Sequence, residues 1–485
     1  MSIWSGEANR YQAVVLAASS RGSAIGVSAQ VRNRTWVPLT VHLENPGPAG
    51  TVRLSAELTG EFSGQQLLGI RDVWLPARSV RRVEYPVWVD VRHDDRPGKP
   101  DIARVAEVRL LDERGRELDR TEALANVLAE DVFNVGIADS RTPSYLFLKE
   151  QATASEKRPF GRFSFAPAAL PRRPLYFATL DALILGDLGA SRLTPLQERA
   201  LVDWVRGGGT LFVLPGGTGG HDAVWEMLPA DLSAAELVET LPEICGEYWF
   251  PNGVGLARLR LREDAVLWRG TRGRPLVAAR REGLGCVVAL ALDTGAGDWQ
   301  RWPGALEFWQ DLFGRAPRFY RYSAQILERS GALEGILSSL AGIKVLARRA
   351  VAMYIVALAV VILGVAAAFR WTRRPERGWA VAVVIAVGAA TGVVVAAAIW
   401  KAQPSAFLTE AYVAATRSGA SVAQVQGALG LYSPREEVFT VPTPDDNVML
   451  RPGRSETKPP EQFPLQYDDR LVADGLRVRA DDVRL

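Results

Sequence analysis

The stretch Asp181–Gly217, DALILGDLGASRLTPLQERALVDWVRGGGTLFVLPGG, decides the fold of the central part of the chain. Two short continuous apolar runs, DALILGD and TLFVL, lie near its ends. Between them, apolar residues recur from Leu196 to Val205 at the spacing of one helix face, after a helix start at Thr194 and Pro195. Apolar strands that alternate with helices indicate a parallel sheet covered on both faces.

Glycines surround the strand TLFVL, and two phosphate-binding motifs can be tested on them. A P-loop needs a lysine after its glycines, and the chain has no lysine between residues 157 and 344. A dinucleotide fingerprint needs a third glycine after Gly217 and Gly219, but Asp222 stands in that place. Both motifs therefore fail. We interpret the glycines as a helix cap before the strand and a turn after it.

DALILGD followed by LTPLQERALVDWVRGGGTLFVLPGG resembles the class I glutamine amidotransferase-like fold, a flavodoxin-like α/β sandwich, over residues 131–318. The resemblance implies a GxCxG elbow with a nucleophilic cysteine, and a later strand that supplies a histidine and a glutamate. Here Pro215 and Gly216 occupy the nucleophile region, and Asp293 stands where the family would have its histidine. A cysteine nucleophile requires a base within hydrogen-bond reach. The domain is therefore predicted to be catalytically degenerate, and the protein not to be an enzyme.

Three aspartates each end a predicted strand of this domain. Open α/β sheets bind ligands at the carboxyl ends of their strands, so a crevice there could hold a cation or a small polar ligand. Aspartates after strands are also ordinary turn and N-cap residues, and this alternative stays open. No catalytic residue, metal or cofactor is assigned. The candidate ligand-binding residues are Asp139, Ser140, Asp187, Gly216, His221 and Asp293.

The N-terminal part of the chain has the period of β-strands. WVPLTVHLE and TVRLSAEL alternate apolar and polar residues on either side of the turn NPGPAG, which is a strong hairpin signal. Further strands and turns follow, so residues 1–130 are predicted to form an antiparallel, Ig-like β-sandwich. Strand-like segments after residue 400 could begin a second β domain.

Composition excludes several functional classes. A net charge of +3 is small for 485 residues, so no nucleic-acid surface is expected. Two cysteines, Cys245 and Cys286, rule out a disulfide framework, and two isolated thiols are favoured over one bridge. Three histidines without paired spacing make metallohydrolase chemistry improbable.

Two uncharged stretches, Ala350–Phe369 and Trp379–Trp400, are long enough as helices to cross a hydrocarbon core of about 30 Å. The loop between them carries four arginines, which the positive-inside rule places in the cytoplasm. We therefore predict a two-pass protein of the bacterial cytoplasmic (inner) membrane with its large domains outside. No signal peptide is recognisable at the start, so the true start is expected to lie upstream or to have been removed; otherwise the orientation is inverted.

The predicted function is that of a non-enzymatic, membrane-anchored envelope protein whose extracytoplasmic domains act as an interaction or scaffold module. Its expected partners are the lipid bilayer and an envelope or membrane protein. The alternatives are a sensor or binding module with a small ligand or cation in the α/β crevice, and an accessory subunit of a membrane transporter. The predicted divisions are the β-sandwich 1–130, the α/β three-layer domain with a parallel sheet 131–325, an amphipathic connector 326–349, transmembrane helices 350–369 and 379–400 around the cytoplasmic loop 370–378, and a β-rich extracytoplasmic tail 401–485 that stops without an obvious end.

Overall fold

The computed structural model covers the chain in separate ranges. It describes residues 12–15, 30–32, 35–59, 66–89, 101–128, 133–141, 145, 148, 160–165, 170–188, 192–216, 222–295, 298–316, 348–371, 375–401, 407–416, 423–433, 437–443, 463–467, 471–478 and 482–484. Two compact units can be distinguished. The first comprises Met1–Ile326, Ala414–Gln426 and Thr440–Leu476, and the second Leu327–Val413, Gly427–Phe439 and Arg477–Leu485.

The N-terminal part consists of β-strands with alternating apolar and polar residues. They are β1 Gln12–Val15, β2 Gln30–Arg32, β3 Thr35–Asn45, β4 Gly50–Thr59, β5 Gln66–Leu75, β6 Ser79–Val89, β7 Asp101–Leu111 and β8 Glu117–Leu128. One sheet has the order β1-β3-β6, and a second contains the run β2-β8-β7-β4-β5. Alternate residues such as Leu39, Val41 and Leu43 of β3 are buried, which is what a period of two dictates for strands with one face on a core.

Asn45 joins two turns at one end of these sheets. Its side chain is fully buried, and its Nδ2 donates hydrogen bonds to the carbonyl oxygens of Pro48 and Pro76, both at 2.8 Å. Its Oδ1 accepts a hydrogen bond from the N–H of Gly47 at 2.9 Å. The N–H of Arg78, whose φ is +48°, donates to the carbonyl oxygen of Gly47 at 3.1 Å. The β3–β4 and β5–β6 turns are therefore held together by one buried amide.

The central part alternates strands and helices. The strands are β9 Phe133–Ala138, β10 Phe160–Phe165, β11 Ala182–Leu185, β12 Thr210–Val213, β13 Ala230–Leu232, β14 Glu236–Thr240, β15 Trp249–Leu256, β16 Leu259–Leu261, β17 Val266–Gly270, β18 Pro275–Glu282 and β19 Gly285–Leu290. The helices are α1 Pro195–Arg206, α2 Asp222–Met227, α3 Pro242–Cys245 and α4 Ala305–Arg315, with 3-10 turns at Pro174–Phe177 and Trp299–Arg301.

Seven of these strands form one sheet in the order β10-β9-β11-β12-β19-β18-β17. The five strands from β10 to β19 run parallel, β18 pairs antiparallel with β19, and β17 pairs antiparallel with β18. Alternate strand residues enter two separate buried clusters. Phe212 and Val288 pack with α4 residues such as Trp309, whereas Leu211 and Val287 pack with α1 residues such as Trp204. Both faces of the sheet are therefore covered around β12 and β19.

Capping interactions explain where α1 begins and ends. The Thr194 side chain accepts a hydrogen bond from the N–H of Gln197, and Gln197 Oε1 accepts one from the N–H of Thr194, which completes a capping box. At the other end Gly208 has a φ of +121°, so the predicted glycine cap is confirmed. A Cβ on Gly209 would overlap the ring of Trp204, so this position also requires glycine.

Two long helices follow, α5 Arg348–Trp371 and α6 Pro375–Lys401. The Tyr354 hydroxyl on α5 donates to the carbonyl oxygen of Ala389 on α6 at 3.4 Å. Their described side chains are largely exposed and apolar. The predicted amphipathic connector 326–349 lies outside the described residues except for its last two positions.

The prediction of transmembrane helices at 350–369 and 379–400 is wrong. Within the described part of the chain, no helix has a stretch that is both long enough and apolar enough to cross a membrane. The placement in the bacterial inner membrane with large domains outside rested on these helices and is wrong with them. The predicted partners are not tested by this finding.

The C-terminal strands divide between a three-stranded sheet of their own and the second N-terminal sheet. They are β20 Phe407–Thr416, β21 Ala423–Ser433, β22 Glu437–Pro442, β23 Phe463–Tyr467, β24 Leu471–Val478 and β25 Asp482–Arg484. β23 pairs in parallel with β5, from Phe463 opposite Leu67 to Gln466 opposite Ile70, and the second N-terminal sheet continues as β5-β23-β24-β22. An unpaired strand edge exposes backbone donors and acceptors, and β23 satisfies those along this part of β5.

Candidate functional site

The carboxyl ends of four parallel strands meet at one edge of the seven-stranded sheet. Leu185 lies in register with Ala138 and Val213, and Val213 with Ala289, so β9, β11, β12 and β19 end at the same level. The N–H of Ser140 donates to the carbonyl oxygen of Asp187 at 2.7 Å and ties two of the following loops together. This edge carries the described residues that the sequence singled out.

Arg141 occupies the centre of this edge. Its Nη1 and Nη2 donate to Asp293 Oδ2 and Oδ1 at 2.7 and 3.0 Å, and its Nε and Nη2 donate to Asp139 Oδ1 and Oδ2 at 3.2 and 3.3 Å. The Arg141 backbone N–H also donates to Asp139 Oδ1 at 2.8 Å. The side chain of Asp139 is 0% exposed, that of Asp293 20% and that of Arg141 33%. We refer to Asp139, Arg141 and Asp293 as the ion triad.

Electrostatics keeps Arg141 charged. Burial by itself lowers the pKa of Arg141, but its hydrogen bonds to Asp293 and Asp139 and their charges outweigh burial and raise the pKa overall. The Tyr145 hydroxyl donates to Asp139 Oδ2 at 3.3 Å. Burial, followed by the charge of Asp139, raises the pKa of Tyr145 well above its usual value. Tyr145 therefore stays a neutral hydrogen-bond donor to the buried carboxylate.

Glycines provide the space for the ion triad. A Cβ on Gly186 would overlap the carboxylate of Asp139, and a Cβ on Gly295 would lie 2.9 Å from Arg141 Nη2. Gly255 of β15 approaches from another element, since its Cβ would lie 3.1 Å from the Cβ of Asp293. These contacts explain why glycines flank the strand ends, although glycine usually weakens regular structure.

Three of the remaining predicted residues lie at the same end of the sheet as the ion triad. Asp187 is half-buried beside Gly216, which has a φ of +90° and whose Cβ would lie 3.5 Å from the Cβ of Asp187. Ser140 is exposed at the rim. His221 lies outside the described residues. Of the six predicted residues, five therefore lie at the same edge of the sheet.

Two residues of this site were missed by sequence reasoning. Arg141 follows Asp139 by two positions, but arginine makes up most of the 57 basic residues, so one more arginine carried no signal. Tyr145 lies six positions after Asp139 and belongs to no motif, so it carried no signal either. A basic residue within two positions of a strand-ending aspartate is the signal that points to Arg141.

The guanidinium of Arg141 lies between the carboxylates that were predicted to bind a cation. A cation held by Asp139 and Asp293 would have to take the position of the guanidinium, which already satisfies both carboxylates. Across the described residues, no group of three or more histidine, cysteine, aspartate or glutamate side chains is arranged to hold a metal ion.

The two cysteines are free thiols. Cys286 is buried within β19, and its Sγ lies 3.8 Å from the carbonyl oxygen of Val287. Cys245 ends α3 and is half-buried, and burial raises its pKa to about 12. A thiol with this pKa is almost entirely protonated at neutral pH and is a weak nucleophile.

Comparison with known proteins adds little to this description. No family model and no curated protein matches the chain. Among solved structures, a cytoplasmic protein of Salmonella typhimurium LT2 is 15% identical, with a TM-score of 0.29, over 38% of this chain and 100% of its own. An exo-beta-1,4-mannosidase of Opitutaceae bacterium strain TAV5 is 17% identical, with a TM-score of 0.27, over 38% of this chain and 36% of its own. Likenesses at these TM-scores carry no argument, and the amidotransferase-like resemblance stays a prediction.

Proposed function

We propose that the protein is a non-enzymatic interaction module whose α/β part presents surfaces to a partner protein. The observation that carries the proposal is the ion triad. Arg141 engages both carboxylates at the strand ends, where an open α/β sheet would otherwise offer groups to a substrate.

The chemistry of the site supports this proposal. A general acid or base must exchange a proton with substrate, but Asp139 is completely buried and accepts hydrogen bonds from Arg141 and Tyr145. Asp293 is bound by two guanidinium nitrogens and also accepts a hydrogen bond from the N–H of Gly295 at 3.2 Å. The half-buried thiol of Cys245 is protonated at neutral pH. Asp139 and Asp293 are thus bound by Arg141, and the Cys245 thiol is in its weakly nucleophilic form.

The test is recovery of a partner by the full-length chain. A tagged chain is cross-linked in its native cells and purified, and bound proteins are quantified by mass spectrometry. We expect one protein in near-stoichiometric amount, retained equally by wild type and by an Asp293→Asn variant assayed below its unfolding temperature. Loss of an enzymatic activity in Asp293→Asn, or recovery of no protein at all, would contradict the proposal.

A second candidate is a binding module for a small polar ligand. It is favoured by the partial exposure of two triad side chains, 33% for Arg141 and 20% for Asp293, which a ligand could reach. Native mass spectrometry of the purified chain tests this alternative. A small molecule bound to wild type and absent from Asp293→Asn would support it, and an unliganded wild-type chain would argue against it.

A further inference from the structure

β14 and β15 form a two-stranded ribbon beside the ion triad. The N–H of Asp293 donates to the carbonyl oxygen of Gly255 at 2.8 Å, which fastens the ribbon to the end of β19. The sheet contains only β14 and β15, so within the described part of the chain the outer edge of β14 has no neighbouring strand. Such an edge presents unpaired backbone donors and acceptors that another strand can use.

The edge of β14 lacks the protection that another edge strand has. β17, at the edge of the seven-stranded sheet, shifts register twice against β18, at Leu267/Arg269 and Arg269/Gly270, and Arg269 pairs with Asp311 at 2.7 Å. Irregularity of this kind discourages strand addition. In the ribbon, the register shift places its extra residues on β15, so β14 runs without an insertion.

The outward face of the ribbon exposes two large apolar side chains. Val238 packs against the core, so its neighbours Leu237 and Glu239 lie on the opposite face of β14. Leu237 is 77% exposed and Trp249 54% exposed, and Trp249 Nε1 donates to Glu239 Oε2 at 3.3 Å. The exposed Leu237 therefore lies two positions before Glu239 on the same face, and the exposed Trp249 is hydrogen-bonded to the Glu239 carboxylate.

The chain segment that contains the ribbon carries only negative charges. Residues 231–257 contain five acidic residues and no lysine or arginine. Glu243 is paired with Arg274 at 2.6 Å, and Asp231 with Arg262 at 2.8 Å. The contact of Glu236 with Arg258 is 3.9 Å long and highly exposed, and therefore weak. An acidic surface raises the association rate of a basic partner and disfavours acidic ones.

We propose that the outer edge of β14 docks an extended, basic segment of a partner protein as a third strand of the ribbon. Backbone hydrogen bonds to β14 provide the pairing, apolar side chains of the segment contact Leu237 and Trp249, and a lysine or arginine faces Glu239. The inference rests on the proposed function and names the surface and the partner chemistry that this function would use.

The test measures binding of a labelled ten-residue peptide of alternating lysine and valine to the full-length chain by fluorescence anisotropy. We expect saturable binding that is weakened about tenfold by Glu239→Lys and about fivefold by Leu237→Ala. Two matched variants, Glu263→Lys and Val266→Ala, change an exposed acid and an exposed aliphatic residue outside the ribbon, and should alter the affinity less than about twofold.

Two control peptides keep the test independent of protein variants. A glutamate–valine peptide should not bind, and the lysine–valine peptide with N-methylated backbone amides should bind at least about tenfold more weakly, because it cannot complete the strand pairing. Equal binding of the methylated peptide, equal effects of ribbon and control variants, or absence of binding would overturn the docking site. A cross-linked partner that stays bound to Leu237→Ala and Glu239→Lys would also overturn it, while the proposed function would stand.

Discussion

Replacing Arg141 by methionine tests the ion triad directly. The substitution retains an unbranched apolar side chain but removes the guanidinium between Asp139 and Asp293. Asp139 would keep the Arg141 backbone N–H at 2.8 Å and the Tyr145 hydroxyl at 3.3 Å, but its charge would be buried without a counter-charge. Asp293 is 20% exposed and could be hydrated. The cost should therefore arise mainly at Asp139.

The magnitude follows from these exposures. Removing one partner of a buried ion pair costs about 3–5 kcal/mol. Arg141 is 33% exposed and the backbone hydrogen bond to Asp139 survives, so we expect a loss in the free energy of unfolding of about 2–4 kcal/mol. Adding Asp139→Asn removes the buried charge and should restore at least about 1 kcal/mol.

Urea denaturation followed by tryptophan fluorescence measures both effects, because Trp299 and Trp309 are fully buried in the same domain. Arg206→Met is the matched control, since Arg206 pairs with Glu282 at 2.9 Å with its side chain 46% exposed, and should cost less than about 1 kcal/mol. A cost for Arg141→Met no larger than that of the control would refute the reasoning, as would a double variant no more stable than Arg141→Met alone.

Three further predictions concern single side chains. Asn45→Ala removes the amide that joins two turns and should lower the free energy of unfolding by about 2–4 kcal/mol in urea denaturation; a loss below about 1 kcal/mol would contradict this. Burial alone raises the pKa of Glu107, but hydrogen bonds and charges from Arg109 and Arg120 outweigh it and lower the pKa overall. Glu107→Gln should therefore cost about 1–2 kcal/mol near pH 7, and the difference from wild type should be lost as the pH falls through the lowered pKa of Glu107; a difference independent of pH would contradict this. Because burial raises the pKa of Cys245 to about 12, its thiolate fraction at pH 8 should be on the order of a thousandfold below that of free cysteine, and iodoacetamide should label it, as followed by peptide mass spectrometry, rapidly only after unfolding in urea.

Local patterns predicted the elements around the glycine-rich segment. The helix after Thr194, the strand TLFVL and the glycine cap all follow from apolar spacing and end residues, and the structure has them as α1, β12 and Gly208. The meeting of Asp139, Asp187 and Asp293 at one edge also followed, because parallel strands end on the same side of a sheet.

Other features have no local signature. Arg141 could not be distinguished among so many arginines, since its role depends on two carboxylates of which one lies 152 residues away. β14 has the sequence ELVET, which is too polar to be recognised as a strand before its pairing with β15 is known. The two uncharged stretches after residue 350 form helices as their composition suggests, but the membrane crossing drawn from them was wrong.

The pairing of β23 with β5 sets an order of events when the chain is made. The ribosome releases β5 nearly 400 residues before β23, which at rates of about 5–20 residues per second is roughly 20–80 seconds. Throughout that interval the edge of β5 from Leu67 to Ile70 is not yet paired with β23. A nascent chain must therefore keep this edge from pairing with other strands, and the sheet that begins folding first is among the last to be finished.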